Sequence, residues 1–112
     1  MTEEIMAILI EMVLNSDELL LDYMDEEDKA KKIADLRQYI LSAIDMIGWE
    51  GVTLDYESES DLRLITMYAM WLYEKRKTTG SKYTSYYIQN MPRMLRWNLN
   101  NRLFRQKASE TV

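Results

Sequence analysis

The chain has 112 residues, with no cysteine and no histidine. The first absence excludes disulfides, thiolate zinc sites and cysteine nucleophiles together. The second excludes Ser–His and Cys–His dyads and any histidine metal site. Carboxylates, Lys, Tyr and Arg are what remain for catalysis, and nothing in their spacing resembles an active site. We therefore expect a protein that is not an enzyme, with no metal and no cofactor. Three glycines and one proline leave little material for tight turns, which argues for helices over many short strands. No apolar run has the length a bilayer-spanning helix needs, so no membrane partner is expected. The start, Met1-Thr2-Glu3-Glu4, is the opposite of a basic signal-peptide leader. These features fit an intracellular, reducing setting.

What the chain does have is a divided charge. Residues 1–62 carry 17 acidic and 4 basic side chains, a net of −13, whereas residues 63–112 carry 2 acidic and 10 basic, a net of +8. The overall −5 hides this polarity. Opposite ends of identical copies attract each other under such a division, and a basic end also engages acidic partners, protein or nucleic acid.

The length and a near-average apolar content point to one domain with a single modest core. Thr2 to Leu14 reads as a first helix, with Thr2 as N-cap and Ile5, Ile8, Leu9 and Met12 at helical spacing. Asn15-Ser16-Asp17 is a break before a short second helix to Met24. The acidic run Asp25-Glu26-Glu27-Asp28 reads as a cap and first turn rather than a cation site, since it lacks the alternating ligands and central glycine of an EF-hand. Lys29 to Ile47 is the clearest amphipathic stretch, with Ile33, Leu36, Ile40, Ala43, Ile44 and Ile47 on one stripe. Gly48 stands where a left-handed C-cap is expected.

Residues 49–58 form a long loop, with Trp49, Val52 and Leu54 expected to pin it to the core. Ser58 and Asp61 resemble a capping box with Asp in place of Glu. A central helix from Glu59 to Lys77 is apolar nearly all round between Leu64 and Tyr73, which predicts burial on most sides. Thr78 to Lys82 is a polar linker. Tyr83, Tyr86, Tyr87 and Ile88 suggest a short helical or extended piece, and Pro92 opens the last helix. Met91, Leu95 and Leu99 share one face of it. The expected architecture is an all-α bundle of four to five helices, with residues 1–24 as a helical extension, 25–107 as the core and 108–112 as a flexible tail.

The last helix is the candidate site. Arg93, Arg96 and Lys107 share a face, with Trp97 and Phe104 beside them and Arg102 and Arg105 nearby. Arginines with rings suit nucleic acid, through phosphate neutralisation and base stacking. They equally suit an acidic protein surface, with the rings as anchors. A plain surface helix with its rings in the core is the third reading. The acidic whole chain favours protein docking over DNA, because a standalone DNA-binding domain is ordinarily basic. Tyr83, Tyr86 and Tyr87 are further candidate interface residues. The nine methionines fit core filling or an adaptable contact surface.

In order, the chain has an acidic-capped helix, an irregular loop, an aromatic helix closing on Leu72-Tyr73-Glu74-Lys75-Arg76, Met91-Pro92 before the last helix, and a late arginine, Arg102. This order and these motifs resemble the head–tail connector (head-completion adaptor) proteins of tailed double-stranded DNA phages. The resemblance covers about residues 25–106; the stretch before Asp25 and Lys75 depart from the pattern. It implies a structural adaptor without catalytic residues, which assembles with itself into a ring under the portal protein and meets the next tail-side connector protein. DNA passes non-specifically through the resulting channel. The setting implied is the virion, and the host cytoplasm during assembly. A small helical DNA-binding or regulatory protein is the alternative. The 49–58 loop is too long for the three- or four-residue turn of a helix-turn-helix.

Overall fold

The structure, a computed structural model, describes residues 1–16, 25–77 and 91–110. It is a small all-α bundle. Among the described residues there are four helices and no strand: α1 (Glu3–Ser16), α2 (Glu26–Trp49), α3 (Glu59–Lys77) and α4 (Arg93–Glu110). The expected short helix before Asp25, the polar linker and the piece around Tyr83, Tyr86 and Tyr87 lie outside the described residues.

Local chemistry sets the helix starts. The Ile5 N–H donates to Thr2 Oγ1 at 3.2 Å, and the Asp28 N–H donates to Asp25 Oδ1 at 2.8 Å. Each cap satisfies one of the orphan N–H groups of a first turn. The acidic run is thus a capped helix start, and no group of three or more carboxylates able to hold a metal occurs among the described residues. Pro92 stands immediately before α4, its carbonyl accepting the Arg96 N–H at 3.0 Å. α1 runs to Ser16, through the break expected at Asn15, and α4 runs to Glu110, three residues past Lys107.

The end of α2 differs from expectation. Gly48 is inside the helix, and the left-handed residue is Gly51, at φ +101°. The Gly51 N–H donates to Gly48 O and the Val52 N–H to Ile47 O, the paired bonds of a Schellman stop. This position wins because the motif sets the residue after the glycine over the last inward turn. A stop at Gly51 places Val52 over Ile47, and both are buried; a stop at Gly48 would have used Trp49. Trp49, expected to pin the loop, is instead 82 % exposed.

The core joins Met6, Leu9 and Val13 of α1, Leu36, Ile40, Ala43 and Ile47 of α2, Leu64, Ile65, Tyr68 and Ala69 of α3, and Leu95 and Leu99 of α4, with Val52 from the loop. Each fully buried leucine or isoleucine here is worth about 1.5–3 kcal/mol relative to exposure. α3 contacts each of the other three helices, as its nearly all-apolar stretch predicts. Ile33 is the outlier of the α2 stripe, at the exposed edge. Of the methionines, Met6 is in the core, and Met46, Met67, Met70 and Met91 pack against it. Met94 is exposed. Beyond the core, Tyr39 of α2 meets Tyr73 of α3 edge-on at 5.8 Å, and Lys32 Nζ lies 5.2 Å from the Tyr73 ring. Arg37 of α2 donates to Glu3 of α1; this bond, with the attraction of the guanidinium, lowers the Glu3 pKa.

Candidate functional site

α4 carries six of the nine candidate interface residues, and the helix divides them. Its inward side continues Leu95 and Leu99 at steps of three and four to Arg102 and Gln106, so the buried stripe turns polar halfway along. Arg102 and Gln106 then work on the loop between α2 and α3. Arg102 Nε donates to Asp61 Oδ1 at 2.7 Å and Nη2 to Asp61 Oδ2 at 3.1 Å, a fork-to-fork pairing. Nη2 also donates to Thr53 O at 2.7 Å. Gln106 accepts from the Thr53 N–H at 2.7 Å and donates to Gly51 O at 2.9 Å. Asp61 Oδ2 accepts the Asp55 N–H at 2.8 Å.

The loop is therefore held as a strand would be, by side chains instead of a neighbouring strand. Backbone groups of Gly51, Thr53 and Asp55 face Asp61, Arg102 and Gln106, while Val52 is buried and Leu54 packs against the core. The period of two is that of an extended chain. Asp61, 2 % exposed, is satisfied on both oxygens by the Arg102 fork and the Asp55 amide. The bond to Asp61, the largest cause, raises the Arg102 pKa further above its usual value. The capping box at Ser58 is only half formed: the Asp61 N–H approaches Ser58 Oγ at 3.4 Å, while the Asp61 carboxylate turns to the loop and α4. Aspartate is one methylene shorter than the glutamate of a reciprocal box, and here it meets Arg102 instead.

Arg96 is likewise engaged within the chain, donating to Glu50, the residue capping α2. Tyr68 lies near this pair; its burial, and next the Glu50 charge, raise its pKa above 10.0. Arg96 and Arg102 were both expected at an interface; the structure commits them to holding α4 and the loop in place. Two expected residues remain as cations on the outer side: Arg93 and Arg105 are exposed and have no ion pair among the described residues. Trp97 and Phe104 stand outward as well, 62 % and 74 % exposed, which rules out the core placement of these rings. Met94 adds a third exposed apolar side chain. Tyr83, Tyr86 and Tyr87 lie outside the described residues.

Trp97 and Phe104 are seven residues apart, two turns along one line of the helix. They form one side of a groove of about 540 Å³ between α4 and the first half of α3, with Arg63 and Met67 on the facing side and Leu64 at its floor. Asn98, Asn101 and the Asp61–Arg102 pair also line it, so the groove mixes apolar and polar side chains, chemistry that can dock a helix. Sequence reasoning found the α4 side of it and missed the α3 side. The missed signal is Ser60, Arg63 and Met67 at steps of three and four, which the apolar stretch of α3 overshadowed.

No protein-family model matches the chain, and neither a curated protein nor a solved structure matches it. Among the described residues no helix is long and apolar enough to cross a membrane.

Proposed function

We propose that the chain is a structural adaptor of a phage head–tail connector, a subunit that assembles with identical copies into a ring beneath the portal and lines part of the DNA exit channel. The observation that carries this reading is the outer side of α4. It presents Met94, Trp97 and Phe104 to solvent, beside the exposed cations Arg93 and Arg105, on a helix whose inner side is fully occupied. Large rings with arginines on a rigid element are the usual anchors of protein docking. The acidic half of the chain supplies the unlike, complementary surface that a head-to-tail ring requires. The segment order and the motifs at Leu72–Arg76, Met91-Pro92 and Arg102 support the same class. The portal and the next tail-side connector protein are the further partners, and DNA is a non-specific passenger.

The test is assembly. Concentrated protein should form closed rings in negative-stain images. Arg93→Glu with Arg105→Glu should abolish them while circular dichroism stays helical, because both side chains are outside the internal ion pairs. Wild-type protein that stays monomeric at every concentration, or rings that survive the double reversal, would sink this reading. Tight, salt-sensitive binding of generic duplex by the monomer would favour the DNA-binding alternative instead.

A further inference from the structure

α1 carries a second uncovered face. Met6, Leu9 and Val13 bury its inner side. On the outer side Ile8 is 46 % exposed, four residues after Glu4 and three before Glu11, so all three share one face. Both carboxylates are exposed and neither has an ion pair among the described residues; Glu3, by contrast, is tied to Arg37. The face thus reads carboxylate, aliphatic, carboxylate over seven residues, roughly 10 Å of helix.

The α3–α4 groove carries the opposite charge at its rim. Trp97 and Phe104 also stand seven residues apart, roughly 10 Å along α4. Arg105 borders them, and Arg63 stands across the groove. Among the described residues Arg63 holds only an exposed pair with Glu59 one turn away, a weak surface contact that is readily re-partnered.

We propose that the outer face of α1 from one copy lies in the α3–α4 groove of the next, with Ile8 between Trp97 and Phe104 and with Glu4 and Glu11 paired to Arg63 and Arg105. The inference rests on the ring-forming reading and assigns it two surfaces. They are different patches, so the contact is heterologous: each copy offers α1 to one neighbour and its groove to the other, which is the condition for ring closure. A second copy is the occupant argued for by charge: exposed carboxylates on α1 meet exposed arginines at the groove.

The chain contains no cysteine, so introduced thiols report a single contact. Ala7→Cys, beside Ile8, and Asn101→Cys, in the groove between the two rings, made as separate proteins and mixed under mild oxidation, should give a crosslinked dimer that neither protein gives alone. The charge variant Glu4→Lys with Glu11→Lys should lose assembly, and mixing it with Arg63→Glu/Arg105→Glu protein should restore dimers. All four positions are exposed, and circular dichroism verifies each fold. Rings that form without the mixed crosslink, because the groove holds another partner or another segment, overturn this pairing and leave the ring-forming reading standing. Wild-type protein that never assembles overturns both.

Discussion

The two sides of α4 invert the usual division of labour. Inward, two leucines give way to an arginine and a glutamine, and these polar side chains do structural work. Outward, two aromatic rings and a methionine face water between exposed cations. Burial on this helix follows the geometry of available partners rather than hydropathy. Arg102 goes inside because the loop offers a carbonyl and Asp61 offers both oxygens; Phe104 is 74 % exposed and is not among the residues packed on the core. The lesson is that a polar residue with a complete set of partners reads as architecture, while an uncovered ring beside unpaired cations reads as a contact surface.

Breaking the inner side should cost most. Asp61→Ala leaves the Arg102 guanidinium partly buried without its carboxylate and frees the Asp55 amide, a loss of about 3–5 kcal/mol. Urea unfolding would check it, and a double-mutant cycle with Arg102→Ala should show strong coupling, the second substitution costing far less than the first. Additive losses would mean that the pair does not act as one unit. Leu99→Ala tests the apolar half of the same side. A cavity at this fully buried site should cost about 2–5 kcal/mol, without the coupling to Asp61.

How much of this was legible in the sequence depends on the range of the interaction that decides each feature. The caps at Thr2 and Asp25, the bounds of α3 and the buried Leu95–Leu99 pair follow from residues within one or two turns, and all were readable. The stop of α2 was not, because two glycines competed and the choice fell to a contact between Val52 and Ile47 across the stop. The clamp of the loop was least readable of all. It joins Gly51, Thr53 and Asp55 to Asp61, Arg102 and Gln106, and no local pattern announces a pairing that spans 41 residues between Asp61 and Arg102. Among the nine candidate interface residues, the intrachain carboxylates of Arg96 and Arg102 were not readable for that reason: an arginine's solvent-facing and inward-facing uses look alike until its carboxylate is placed.

Two glycines sharpen the contrast at the smaller scale of about 1 kcal/mol. Gly51→Ala forces a side chain onto a left-handed backbone, costing about 1–2 kcal/mol; Leu103 sits 3.5 Å from the new Cβ, an ordinary contact, so the loss is conformational. Gly48→Ala should do the reverse. It is helical, a Cβ there meets nothing within 4 Å, and alanine in a helix interior is favoured by roughly 0.5–1 kcal/mol. Thermal melts of the two variants should move in opposite directions. A gain for both would remove the Schellman stop as the reason α2 ends where it does.

The smallest expected effect bears most on function. Phe104→Ser removes a ring that is 74 % exposed and, among the described residues, belongs to neither the core nor a ring pair. Its unfolding midpoint should stay within about 0.5 kcal/mol of wild type, the ordinary range for a surface change. If the ring were part of the fold, the loss would approach the 3–5 kcal/mol of a buried phenylalanine, and the outer side of α4 would have to be reassigned to the core. A neutral melt, joined to loss of self-association in sedimentation, separates the two sides of one helix by experiment: the inner side sets stability and the outer side sets assembly.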